Sequence, residues 1–274
     1  METLAERAES KLMDLISRFV AGEAEVVHVY FAGEHTREEH LDALIGQMGR
    51  ELQTRHWLHR ALVMNDGLEE SVDRHDFLHM IDHIYDEMKH YTLLADLAEW
   101  LAGRKLTKDE LMRYEIAAVY DPVLPEAVLR NERLPEATKM VEIIREACEK
   151  YGDDYAIGVL RLSEGGGGGA FVACAQQTGD EYARRLAEAM GSIVRDEMGH
   201  GPGRVRAFVQ EQVKDEATLD RTYTLLEEYM WQHLRLRNEI SPCPRSASTS
   251  KSRYPLSSCT SRSAAWTSLS PGST

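Results

Sequence analysis

The sequence predicts an all-α protein, a four-helix bundle with additional flanking helices. Apolar residues recur three and four apart along most of the chain, as in Leu4, Ala8, Leu12, Leu15, Ile16 and Phe19, which is the period of a helix with one buried face. The periodic stretches are punctuated by short runs such as Asn65-Asp66-Gly67, which stop helices. One five-residue pattern also occurs twice, Asp86-Glu87-Met88-Lys89-His90 and Asp196-Glu197-Met198-Gly199-His200. Each copy sets a carboxylate and an imidazole three residues apart, one above the other on a helix face.

Taken in order, residues 2 to about 20 form an amphipathic helix that Gly22 is expected to end. Ala24 to Phe31 reads as a further helical turn in preference to a short strand, because no partner strand lies nearby. Helix A should start at Thr36, which forms a capping-box signature with Glu39, and run to Asn65. Leu41, Leu44, Met48, Leu52, Leu58 and Leu62 supply its apolar side. Helix B spans 72 to 101, with Phe77, Ile81, Ile84, Leu94 and Leu97 inward and Gly103 as its stop. Thr107 and Glu110 make a second capping box for a shorter helix, 108 to 119, across the bundle end. Helix C begins after Pro135 and reaches Gln177, with a break near Tyr151-Gly152-Asp153.

Gly165 to Gly169 interrupt helix C, and each glycine weakens a helix by roughly 1 kcal/mol relative to Ala. Helical flanks on both sides predict a distorted helix or a wide turn passing close to something bulky. Helix D runs from Glu181 to His200, where Gly201-Pro202-Gly203 force a kink or break. A last helix covers 204 to 238, bent near Asp215. Residues 241–274 hold 12 Ser and no Asp or Glu in 34 positions and read as a disordered or foreign tail. The division is therefore 1–35 as an N-terminal helical extension, 36–240 as the helical domain and 241–274 as the tail.

With 274 residues the chain can bury a sizeable core. Its net charge of -14 disfavours nucleic acid and anionic membranes as partners. Four Cys without a close pair argue against a zinc knuckle, a redox dithiol or a disulfide scaffold. The start of the chain lacks the features of a secretion signal, and no apolar run approaches membrane-spanning length. A cytoplasmic location is the expectation.

The repeated motif points to metal. Glu51 lies about 14 residues before the end of helix A and Glu87 about 15 into helix B, so on antiparallel helices their depths match at about 1.5 Å per residue. Glu164, about 14 residues before the turn at 178–180, and Glu197, about 17 after it, match within about one turn. Glu51 and Glu164 both interrupt apolar stripes, where a lone carboxylate is costly without a cation. Glu38, Glu39 and Glu25 are the alternatives to Glu51. The set Glu51, Glu87, His90, Glu164, Glu197 and His200 is the four-helix di-metal pattern of two Glu and two Glu-x-x-His. Four carboxylates and two imidazoles suit iron or manganese better than zinc. Asp196 is placed to orient His90, and Asp86 to orient His200. His83, one turn before Glu87, together with Gly167, Gly168 and Phe171, is a candidate wall of a substrate pocket. His75 and His79 read as structural, Tyr91 as packing and the methionines as core fillers.

These motifs resemble the ferritin-like di-iron carboxylate superfamily, and within it the oxygenase branch of bacterial multicomponent monooxygenases and phenylacetyl-CoA and benzoyl-CoA epoxidase subunits. The resemblance covers about residues 36 to 210. It implies a ferritin-like bundle and the same six ligands holding two Fe ions, with Mn or Mn/Fe as variants. It further implies O2 as co-substrate and a small organic substrate undergoing hydroxylation, N-oxygenation, epoxidation or desaturation. A ferredoxin or flavin reductase, or the substrate itself, would supply electrons, and a homodimer is compatible with the class. Two departures stand out: Lys89 and Gly199 replace the Arg common before the ligand His, and the glycine run follows Glu164. Leu94 occupies the place of the radical Tyr in ribonucleotide reductase small subunits. A ferroxidase or iron-handling protein is the second reading, and a metal-free helical scaffold the third.

Overall fold

The first helix, α1 (Leu4–Phe31), starts at a reciprocal capping box in which the Thr3 side chain accepts from Glu6 N–H and Glu6 accepts from Thr3 N–H. It does not stop at Gly22. The buried stripe Leu12, Leu15, Ile16, Phe19, Glu23, Val27 and Tyr30 runs through that position unbroken. A continuous buried face outweighs the roughly 1 kcal/mol propensity cost of a single glycine. The computed structural model describes residues 2–51, 54–116, 129–163, 168–197 and 203–241, excluding the side chains of 54–57, 59 and 60.

Among these residues ten further helices follow α1: α2 (Arg37–Glu51), α3 (Thr54–Asp66), α4 (Arg74–Ala102), α5 (Lys108–Leu111), α6 (Pro135–Tyr151), α7 (Asp153–Arg161), α8 (Gly169–Ala175), α9 (Glu181–Glu197), α10 (Gly203–Gln212) and α11 (Glu216–Ile240). The fold is an all-α, multi-helix bundle. No described helix is long and apolar enough to cross a membrane.

Local chemistry sets the boundaries. Thr36 and Glu39 exchange capping hydrogen bonds at the start of α2. Asp73 caps α4, and Gly103, at φ 70°, ends it in the left-handed conformation that glycine adopts without strain. The expected helix 108–119 stops at Leu111. There the chain turns so that the Tyr114 backbone lies on α2 at Gly49, where a Cβ would come 2.3 Å from Tyr114 O. The long last helix is two helices, because Asp215 adopts an extended conformation and caps α11 through Thr218 N–H.

Among the described residues the core has two large clusters and a small third one of Val27, Ala170 and Ala173. Of the large ones, one gathers Leu12, Ile16, Ile144, Leu162, Leu226 and Leu236 from α1, α6, α11 and the end of α7. The other gathers Ile45, Met48, Leu94 and Ile193 from α2, α4 and α9. Helix α1 joins them by packing on α8, α10 and α11, while α8 packs on α9. Not every predicted inward residue is inside. Leu58, Leu62 and Ile81 are exposed, as are Val63, Leu78 and Tyr85 on the same two helices, α3 and α4.

The glycine run ends in a close approach. Gly168 is left-handed at φ 63°, and a Cβ on Gly169 would lie 2.1 Å from the Val20 carbonyl oxygen. Helix α8 therefore starts with its backbone against α1, a contact closed to any other residue. Residues 164–167 lie outside the described residues.

Candidate metal centre

Glu51 is the last residue of α2, and Glu87 and His90 lie one turn apart on the inner face of α4. Their exposures are 5%, 6% and 1%, so all three belong to the interior. One donor atom from each lies within 4.8 Å of the others, a buried cluster able to hold a metal ion. Helix α9 closes it from across the bundle with Asp196 and Glu197 in its last turn.

His90 shows how the cluster is wired. Its Nε2 lies 3.2 Å from Asp196 Oδ2, and Lys89 Nζ lies 2.6 Å from the same oxygen. A carboxylate accepts only, so Nε2 carries a proton, and in the neutral imidazole Nδ1 is the lone-pair atom that faces inward. Nδ1 is buried and makes no hydrogen bond among the described residues. It lies 3.8 Å from Glu51 Oε2 and 3.8 Å from Glu197 Oε1. That spacing is too long for a hydrogen bond. It is inside the roughly 4.2 Å that two ligand atoms of one ion can span at about 2.1 Å each. A buried Nδ1 set between two carboxylates calls for a proton or a cation among them, and the donor set of Glu51, Glu87 and His90 fits a metal ion. Burial by itself would raise the Asp196 carboxyl, but the hydrogen bonds of Lys89 and His90 outweigh it and hold it below the usual carboxylate range. Asp196 thus stays ionised, held by the Lys89 ammonium.

Of the other sequence-predicted site residues, Glu164, Gly167 and His200 lie outside the described residues. Asp86 is half-buried beside Glu87, and its expected partner His200 is not described. His83 is half-buried one turn before Glu87 on α4. Phe171 lines the cavity described below, whereas His83 and Gly168 do not.

A second buried polar group is continuous with the first. Gln47, one turn before Glu51, donates from Nε2 to Glu51 Oε1 at 2.5 Å. Its Oε1 accepts from Arg237 Nη1 at 2.5 Å, and Arg237 Nε donates to Glu23 Oε1 at 2.7 Å. Beside them Arg50 Nη1 donates to His233 Nε2 at 2.7 Å. Burial first, then the charges of Arg50 and Arg237, push His233 well below its ordinary value, so it is neutral. Burial first, then Arg237, lowers Arg50 to about 10, so it remains a cation at neutral pH.

A cavity of about 50 Å³ lies over this group, among α1, α2, α8, α9 and α11. Its floor is Glu23, Gln47 and Arg237, and its walls include Tyr30, Phe31, Phe171, Tyr182, Leu186 and Met190. Cys174 also lines it, with a thiol that burial pushes up to about 12 and so keeps neutral.

Sequence reading missed Glu23, Gln47 and Arg237. The signal was present, since Glu23 and Arg237 each occupy a core position of an apolar stripe, Phe19-Glu23-Val27 and His233-Arg237-Ile240. Comparison of the chain with protein-family models, with curated proteins and with solved structures finds no match.

Proposed function

We propose that this protein is a non-haem di-iron oxidase or oxygenase that uses O2 to oxidise a small organic substrate. The observation that carries the reading is His90, whose buried Nδ1 faces Glu51 and Glu197 while Nε2 is tied to Asp196. Glu51, Glu87 and His90 would hold one ion. The second copy of the motif, with Glu197, His200 and Glu164, would hold the other. A bound pair of iron ions supplies a Lewis acid and the electrons that O2 reduction consumes. The same donors accept Mn or a mixed Mn/Fe pair.

The protein's own groups set the conditions for that chemistry. Asp196 fixes the His90 ring and leaves Nδ1 as its ligand atom. Lys89 keeps Asp196 anionic. Gln47 holds one oxygen of Glu51 and so orients the other. Leu94 and Met48, fully buried beside the ligands in sequence, exclude water on the core side. A ferredoxin or a flavin reductase would deliver electrons. Hydroxylation, N-oxygenation, epoxidation and desaturation all fit this arrangement.

The test is oxygen uptake by iron-loaded protein with a chemical reductant and a panel of small organic molecules. Uptake that rises with one substrate class, yields an oxidised product and is lost in Glu87→Ala supports the reading. Uptake that depends on Fe(II) alone, with no organic product, overturns it in favour of ferroxidase activity.

A further inference from the structure

We propose that Arg237, anchored by Glu23, is a positioning residue for the metal ligand Glu51. It fixes the amide of Gln47 in the one orientation that ties down Glu51 Oε1 and leaves Oε2 as the ligand atom. The inference rests on the metal reading of the cluster around His90, and not on the oxygen chemistry proposed for it.

A guanidinium only donates and a carboxylate only accepts. Gln47 stands between one of each. Arg237 Nη1 donates to its Oε1 at 2.5 Å, and its Nε2 donates to Glu51 Oε1 at 2.5 Å. Turned over, the amide would set N–H against N–H and oxygen against oxygen, so Arg237 and Glu51 together permit a single orientation. Glu23 Oε1 accepts from Arg237 Nε at 2.7 Å and holds the guanidinium in turn. The Phe171 ring, 5.2 Å from the guanidinium carbon, supports it from the side of α8. All four polar residues are buried, where a group left without its partner is penalised.

The consequence falls on Glu51. With Oε1 held by Gln47, Oε2 is the oxygen that lies 3.8 Å from His90 Nδ1, within the span of two ligand atoms of one ion. The carboxylate is thus presented to the cluster through one atom, at an angle that Gln47 sets. The intervening amide also does what a direct contact could not. With Arg237 on Glu51 itself, the guanidinium charge would compete with a cation for that carboxylate. Glu23 takes up this charge instead, so the pair is neutral as a whole and acts on Glu51 by geometry and not by its field. Glu23 comes from α1 and Arg237 from α11, and both reach α2 across the core. The orientation of the ligand is therefore set by how three helices pack.

The test titrates Mn(II) into the full chain, with the unbound ion read by electron paramagnetic resonance. The parent is compared with Gln47→Leu, with Glu23→Leu plus Arg237→Met, and with all three substitutions together. Removing Glu23 and Arg237 as a pair leaves the net charge unchanged, and folding is checked by circular dichroism. Gln47→Leu and the pair variant should each bind Mn(II) about tenfold or more weaker than the parent. The triple variant should lose no more than Gln47→Leu alone, because the pair acts through that amide. A merely structural pair would leave the affinity at the parent's value in any variant that folds. Parent-like binding by the pair variant therefore overturns the inference, as does a triple variant in which the two losses multiply. Should the pair variant not fold, Arg237→Lys answers the same question. Its ammonium keeps a charge beside Glu23 but not the planar fork, so it should bind about tenfold weaker, and parent-like binding overturns the inference. A parent that binds no Mn(II) would overturn the metal reading and this inference with it, whereas variants that match a binding parent sink the inference alone.

Discussion

Arg237→Met tests whether the buried polar group is held together by charge pairing. Glu23 is 1% exposed and Arg237 7% exposed, at 2.7 Å. Methionine replaces most of the side-chain volume but no donor. Glu23 is left as a buried carboxylate, a loss of about 3–5 kcal/mol, and Gln47 Oε1 loses its donor, about 1–3 kcal/mol. Part returns through His233, 3.8 Å from Glu23, because removing Arg237 removes one of the charges that keep it neutral. A net destabilisation of about 4 kcal/mol follows, a large share of the roughly 5–15 kcal/mol typical of a folded domain. In urea unfolding followed by far-ultraviolet circular dichroism, with a slope of about 3 kcal/mol/M, the midpoint should fall by about 1.3 M. Glu23→Leu with Arg237→Met removes both charges and should recover at least about 2 kcal/mol of the loss. A single-variant cost below about 1 kcal/mol, or a double variant no more stable than the single one, refutes the reasoning.

Three further outcomes follow from other parts of the structure. Asp196→Asn leaves the helix intact but loosens His90, so Fe(II) or Mn(II) affinity in a direct titration should fall about 10- to 100-fold with an unchanged circular dichroism spectrum. Gly169→Ala sets a Cβ 2.1 Å from Val20 O, and since neither backbone can yield cheaply it should cost about 3 kcal/mol, a melting temperature lower by about 10 °C. Glu239, whose carboxylate accepts from Glu136 N–H, is raised to about 7 by burial first and then by the Glu136 charge. The folded state thus holds this proton more tightly than the unfolded chain. Its contribution is complete below the ordinary carboxylate range near 4.5 and is lost as pH rises through about 7. Glu239→Gln, which mimics the protonated form, should gain in melting temperature relative to the parent between pH 5 and 8. Parallel melting curves across that range would contradict the assignment.

The helices were legible where an apolar stripe and a capping side chain agree, as at Thr36–Glu39; at Thr107–Glu110 the cap formed without a stripe, and the helix ends at Leu111. Gly22 was misread because local propensity marks a stop, while the stripe from Phe19 to Tyr30 shows a helix still buried. Leu58, Leu62 and Ile81 were misread for the opposite reason: periodicity defines a face but not whether anything covers it. The cluster of Glu51, Glu87 and His90 was legible because the carboxylate–imidazole spacing is local and repeated and Glu51 interrupts an apolar stripe; the depth count took one helix from Thr36 to Asn65, whereas α2 ends at Glu51 and α3 starts at Thr54. The Glu23–Arg237 pair was not legible, since its members are 214 residues apart and meet only when α1 packs on α11. Gln47 gave no signal at all, because an amide in a helix reads as surface until its neighbours are known.

The central claim is that the cluster around His90 is a metal centre, and metal content tests it most directly. The protein is loaded with Fe(II) without air, desalted and assayed for iron, beside His90→Ala and Glu197→Gln. The account predicts about two Fe per chain in the parent, as a doubled Glu-x-x-His pattern requires, and a clear loss in both variants that still fold. No retained iron in the parent, or equal iron in parent and variants, would contradict it and leave a helical protein whose buried carboxylates serve another purpose.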